Sequence, residues 1–291
     1  MKNLNLILIA FVIILSGCQD DIDLDLKDEQ AGILVVEAFL RNTPSKETIK
    51  LSKTTSYYDN EPEQFATGAF VTLTEDNGAP FELKESNNPD SLGYYIKPSN
   101  YSMKIGSAYT LTISYDNEVY TAVSELKAVP RIDSMEVFYN DIQFLFASDL
   151  VPISPNDTLY DINITFQEPA GLGDVYLFKY YVNDTLRSFY PRDYVYFDDE
   201  FLTPQVTGSA QQFSKLQANY GDKITLEMLS ISPELASFYE VLFNQTDLSG
   251  NLFASSPPAN VPTNISNGAR GNFQVSQPTY KSTVFKPLFQ D

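Results

Sequence analysis

Histidine and tryptophan are absent from the 291-residue chain, and cysteine occurs once. Without histidine there is no Ser-His-Asp or Cys-His relay, and no imidazole ligand for zinc or haem. The lone cysteine, Cys18, excludes an intrachain disulfide and a thiolate-bound cluster. The absence of tryptophan removes the broadest platform for stacking sugars, leaving tyrosine to stand in. Positive charge is scarce as well: 19 Lys and Arg face 38 Asp and Glu, a net charge of −19. Such a surface repels nucleic acid, which is bound through cationic patches, and anionic membrane surfaces. No apolar run reaches the roughly 20 residues that a membrane-spanning helix needs. Tyrosine (19) and phenylalanine (20) are plentiful instead, and with the many Thr and Val they favour strands.

The N-terminus has its own pattern. Residues 1–17 carry Lys2, an unbroken apolar run over 6–15, and then the small Ser16 and Gly17, the layout of a secretory signal peptide. "LSGC" resembles a bacterial lipobox, which implies that Cys18 is acylated and becomes the mature N-terminus. Two or more acyl chains hold a protein stably on its membrane where one does not. Residues 18–30 read as an acidic tether, extended by mutual repulsion. Within it Gln19, Asp20, Asp21 and Asp23 resemble the surface-export signal of Bacteroidota lipoproteins, which implies an outer-membrane location facing the cell exterior. Asp21, Asp23 and Asp25 imitate the start of an EF-hand, but Leu26 and Gly32 stand where that loop needs Gly and Glu. No metal or cofactor is assigned.

Residues 31–130 show seven short apolar or alternating runs separated by turn residues. "AFVTLTED" and "YTLTISYD" alternate apolar with polar, Asn77-Gly78 marks a hairpin, and a further turn falls near Asp116-Asn117. That count and spacing predicts an immunoglobulin-like β-sandwich. Pro130 marks a joint. Residues 131–291 predict a second β-rich, sandwich-like domain, in which "DVYLFKYYVND" is a central strand because it is almost continuously apolar and aromatic. One helix is expected over about 233–249. Ser232 is its N-cap, Pro233 its first residue and Glu234 faces the positive dipole end, while Leu235, Phe238, Tyr239 and Leu242 share one face. That stripe reads as core. The fold class expected is therefore all-β, with one amphipathic helix.

Candidate sites are few. Tyr190, Arg192, Tyr194, Tyr196, Asp198, Asp199 and Glu200 crowd into one stretch and form a candidate binding loop for a glycan or peptide, or else an irregular strand with its aromatics inside. Ser91, Ser134, Thr158 and Thr185 each follow an Asp and precede an apolar residue, a pattern that resembles the Bacteroidota O-glycosylation signal. No pair of carboxylates stands out as catalytic, although a carboxylate-based hydrolase acting on surface glycans stays open as an alternative.

In order along the chain, "CQDDIDLD", "ILVVEAFLRN", "VTLTEDNG", "YTLTISYDNEVYTA", "AVPRIDSM" and "NLFASSPPANVPTNISNGARGNF" resemble the Bacteroidota lipoproteins of domain-of-unknown-function family 4249. The resemblance spans nearly the whole mature chain. It implies an Ig-like first domain and an accessory lipoprotein of a TonB-dependent outer-membrane transporter, and it brings no catalytic residue. The expectation is thus a non-catalytic binding protein held on the membrane by its lipid.

Overall fold

The computed structural model describes residues 32–55, 62–139, 158–169, 171, 173–188, 194–198, 211–246 and 261–286. Cys18, Gln19, Asp20, Asp21 and Asp23 lie outside the described residues, as do Tyr190, Arg192, Asp199 and Glu200.

Among the described residues the fold is all-β with one α-helix. The first unit starts with β1 (Leu34–Arg41), β2 (Glu47–Lys53), β3 (Gln64–Phe65), β4 (Phe70–Glu75) and β5 (Phe81–Glu85). It continues with β6 (Tyr94–Lys97), β7 (Ala108–Tyr115) and β8 (Glu118–Glu125). The second unit contains β9 (Ile132–Tyr139), β10 (Thr158–Phe166), β11 (Val175–Val182), β12 (Thr185–Leu186), β13 (Val195–Asp198), β14 (Gln211–Ala218) and β15 (Lys223–Ile231). Helix α1 (Pro233–Thr246) follows, and then β16 (Arg270–Ser276) and β17 (Pro278–Val284).

The first unit is an Ig-like sandwich around a single core. Alternation decides which side chains enter it: Tyr109, Leu111 and Ile113 of β7 are buried while Thr110 and Thr112 are not. Leu34, Val36, Ala38 and Leu40 of β1 join them. The β7–β8 hairpin closes at Asp116-Asn117, with φ of 54° and 61°. Two left-handed residues match the twist of paired strands, and Asp and Asn tolerate them.

The first unit is completed from the far end of the chain, where the 131–291 division expected at Pro130 does not apply. β16 pairs in parallel with β1, from Val35 opposite Arg270 to Arg41 opposite Ser276, and Ile265, Ala269, Phe273 and Val275 belong to the first core. A parallel partner needs a long crossover and has no tight-turn signature, so a linear reading assigns it by proximity in sequence. The join depends on Gly271. Its φ is 96°, and a Cβ there would lie 2.0 Å from the Val36 carbonyl oxygen, so only glycine fits.

The second unit has two sheets. β14, β10 and β9 form one. In the other, β15 lies between β11 and β17, while β12 and β13 both pair with β11. Tyr176, Phe178, Ile224, Leu226 and Met228 pack between the two sheets with Ile162, Ile164 and Phe166. The opposite face of β11 and β15 is also buried: Val175, Leu177, Leu229 and Ile231 lie against Leu235 of α1.

Candidate functional site

A groove of about 850 Å³ lies where the two units meet. Its floor is the outer face of β1 and β16. Because strand side chains alternate, burying Val36 and Ala38 turns Val35, Glu37 and Phe39 outward. On β16 the matching residues are Arg270, Asn272 and Gln274, with Gly271 between the first two. Lys50 of β2 and Tyr94 of β6 extend the floor, and Lys179 of β11, Tyr194, Val261 and α1 form the walls.

The helix is fixed by its cap. Leu235 N donates to Ser232 Oγ at 3.1 Å, and Ser232 N donates to Gln274 Oε1 at 3.0 Å, which ties the start of α1 to β16. Of the stripe expected to be core, Leu235 is fully buried, whereas Phe238, Tyr239 and Leu242 are half-buried and line the groove. The rings interlock: Tyr194 and Tyr239 meet edge to face at 4.9 Å, and Phe238 and Tyr239 at 5.6 Å. Burial pushes the Tyr239 hydroxyl upward, with Tyr194 adding to it.

The Lys179 ammonium lies 5.1 Å from the centre of the Phe39 ring and 5.2 Å from that of Tyr194. Burial lowers its pKa from the ordinary lysine value. Glu227 and Glu47 oppose that shift, and Arg41 reinforces it. Lys50, by contrast, donates to Glu37 at 3.0 Å and Glu63 at 2.6 Å.

Beside the groove, a clamp joins the units. Glu227 of β15 is fully buried; Arg41 Nη1 reaches its Oε1 at 3.1 Å, and the hydroxyls of Tyr181 and Tyr280 donate to it at 2.6 and 2.8 Å. Arg41 also pairs with Glu47 at 3.1 Å. Desolvation works against the guanidinium charge, but the two carboxylates outweigh it and raise the pKa.

Of the aromatic–acidic stretch proposed as a loop, Tyr194 reaches the groove, Tyr196 packs among the residues under α1, and Asp198 is exposed at the end of β13. The described part is a strand paired with β11. Ser91 ends a short 3-10 turn after Asn88, and Ser134 is exposed on β9 beside Thr165. Thr185 is exposed after the Asn183-Asp184 turn, and Thr158 begins β10. These four are scattered rather than gathered into one site. The sequence reading missed Lys179 and Asn272. The signal available was a lysine inside the otherwise apolar and aromatic "VYLFKYYV" of β11. Among the described residues, no group of three or more His, Cys, Asp or Glu could hold a metal ion, and no helix is long and apolar enough to cross a membrane.

The model of a domain of unknown function, DUF4249, matches residues 19–282. The chain belongs to the DUF4249 family. A search of curated proteins gives no match. Among solved structures, the chain is similar to a two fibronectin type-III domain segment from chicken tenascin, at 13% identity over 69% of this chain and 91% of that one, TM-score 0.20. It is also similar to a chain of a cytokine receptor complex, at 7% identity over 70% of this chain and 86% of that one, TM-score 0.24. Likenesses this remote say nothing of ligand or partner.

Proposed function

We propose that this DUF4249 protein is a non-catalytic, surface-exposed lipoprotein of the outer membrane. In this reading it takes a small ligand in the groove between its units and works beside a TonB-dependent β-barrel transporter in nutrient uptake. The observation that carries the binding reading is the groove itself. It has the size of a small-molecule site, on the order of 300–1,000 Å³, and the usual make-up of apolar walls with a few polar groups. The lipid on Cys18 and the acidic segment Gln19 to Asp23 supply the anchoring part.

The hydrolase alternative finds less support. A glycosidase needs two carboxyl groups facing a substrate across a cleft. Among the described residues Glu37 is the one acid lining the groove, and Lys50 holds it. Glu47 and Glu227 do approach a common point, but Arg41 occupies both and Glu227 is fully buried.

The test is affinity purification of the full protein from detergent-solubilised native membranes, with a Cys18→Ala control. Co-purification of a β-barrel transporter in near-stoichiometric amount, with alkyne fatty-acid label present on the native protein and absent from Cys18→Ala, supports the reading. Recovery of the protein alone, or labelling unchanged by the substitution, sinks the corresponding half of it.

A further inference from the structure

One fully buried and two half-buried cationic side chains of this protein differ in how their charges are met. Lys97 is fully buried, and its ammonium donates to the carbonyls of Thr43, Ser45 and Tyr101. Arg41 is held by Glu47 and Glu227. Lys179 has two aromatic faces and, among the described residues, no carboxylate or carbonyl partner. A cation over rings gains less than removing an ion from water costs. A charge held this way in a cleft is a candidate for a functional site.

Asn272 makes the same case from a neutral group. It is 8% exposed and lines the groove, and among the described residues neither its Nδ2 nor its Oδ1 has a hydrogen-bond partner. Gln274, two residues on along the same face, uses both ends: Oε1 accepts from Ser232 N, and Nε2 donates to the Val275 carbonyl. Buried amides are normally satisfied, and an orphan is destabilising. An amide with donor and acceptor both vacant is the complement of another amide.

We infer that the groove binds the carboxy-terminal end of a short peptide: Lys179 takes the terminal carboxylate, Asn272 pairs with the last peptide bond, and Phe39, Phe238 and Tyr239 hold an apolar terminal side chain. This rests on the reading of the groove as a ligand site. It fits the charge pattern too. The protein as a whole repels anions, at a net −19, so an anion can be held only where cations are gathered locally. The charge of Lys50 is already met by Glu37 and Glu63. Of the acids nearest Lys179, Glu227 and Glu47 are both engaged by Arg41, which leaves the Lys179 charge to a ligand.

The experiment is calorimetric titration of the full protein in detergent with three probes: acetyl-Ala-Ala-Phe with a free carboxyl group, the same peptide as its C-terminal amide, and glucuronate. The free acid should bind at least tenfold more tightly than the amide. Lys179→Met should abolish that preference and Lys179→Arg should keep most of it, while Asn272→Leu should weaken both peptides at least fivefold. Urea unfolding of each variant separates lost binding from lost folding, and the arginine variant carries the test if the methionine variant does not fold. No binding of the free acid at millimolar concentration, equal binding of acid and amide, or tighter binding of glucuronate than of the peptide acid would each overturn the inference. A transporter that still co-purifies in those cases would leave the accessory reading intact and remove only the peptide.

Discussion

β7 and β11 are both eight residues long and both lie inside their sheets. β7 alternates strictly, with Tyr109, Leu111 and Ile113 inward and threonines between them, whereas Val175 to Phe178 of β11 are buried without a break. The difference lies in what covers them. β7 has a core on one face only, so its sequence keeps period two. In the second unit β11 has a core on each face, with Tyr176 and Phe178 toward β10 and Val175 and Leu177 toward α1. The α1-facing side of β11 turns from apolar to polar at Lys179, which lines the groove, and at Tyr181, which donates to the Glu227 clamp.

The sharpest way to break this comparison is at Gly271. If the first unit is a single core closed by a parallel strand from the chain's far end, Gly271→Val should remove it. A valine there is both left-handed and overpacked against the Val36 carbonyl, and should cost about 4 kcal/mol or more. Gly106→Ala is the control: it has a similar φ, 84°, with nothing within 4 Å of the added Cβ, and should cost only about 1 kcal/mol. Equal urea midpoints for the two variants would mean that the β1–β16 join contributes little.

Next in size is the clamp. Glu227→Gln leaves Arg41 with Glu47 alone and should cost about 3 kcal/mol, the low end for breaking a buried pair, because Arg41 keeps one partner and is 31% exposed. The sharper readout is cooperativity. If the clamp couples the two units, a wild type that unfolds in one urea transition should give a variant that unfolds in two. One transition in both proteins would show that the cores, not the clamp, join them.

How much of this was legible from sequence follows from the same contrast. One-faced strands announce themselves, as at β7, and so did the capped helix, because Ser232, Pro233 and Glu234 act locally. The Asn77-Gly78 turn was legible only in outline: the left-handed residue is Asp76, with φ of 46°, and its carboxylate accepts from Ala108 N at 2.9 Å, a partner remote in sequence. β16 and the groove were not legible. Arg270, Asn272 and Phe39 read as ordinary strand residues until a parallel pairing across more than 200 residues brings them together. Of the two readings of the aromatic–acidic stretch, its described part follows the strand reading: Tyr194 and Tyr196 lie against α1, and β13 pairs with β11.

A smaller effect runs through both units with pH, since burial raises the hydroxyls of Tyr160 and Tyr239 in the second as it does those of the first core. Burial pushes the Tyr95 and Tyr109 hydroxyls of the first core up to about 12; the donated amides of Ala69 and Lys104 work against this, and Glu85 and Glu75 reinforce it. A phenol that keeps its proton when folded and loses it when unfolded stabilises fully below pH 10. That contribution is lost as pH rises through 12. Stability should therefore fall between pH 10 and 12. Tyr95→Phe should lower it by about 1–2 kcal/mol at pH 8, through its lost hydrogen bonds to Ala66 and Ala69, and should make the alkaline fall shallower. A fall as steep as that of the wild type would mean that Tyr95 contributes nothing to the alkaline sensitivity.

The smallest expected change has the opposite sign. Lys179 is the polar break in the two-faced strand, so Lys179→Met extends the apolar run and removes a half-buried charge that, among the described residues, no carboxylate contacts. Such a replacement should raise stability by about 1 kcal/mol, as substitutions at functional positions commonly do. The pH dependence gives a second check. Burial, reinforced by Arg41 and opposed by Glu227 and Glu47, sets the folded pKa of Lys179 below its unfolded value. The unfolded chain therefore binds the extra proton in the window between them, and wild-type stability rises with pH across that window. The advantage of the methionine variant should be largest below the folded pKa and should vanish as pH approaches the ordinary lysine value. Urea midpoints at pH 7 and pH 10 measure it. A variant less stable than the wild type at pH 7 would mean that Lys179 is a satisfied structural lysine like Lys97, and that the break in β11 marks packing rather than a site.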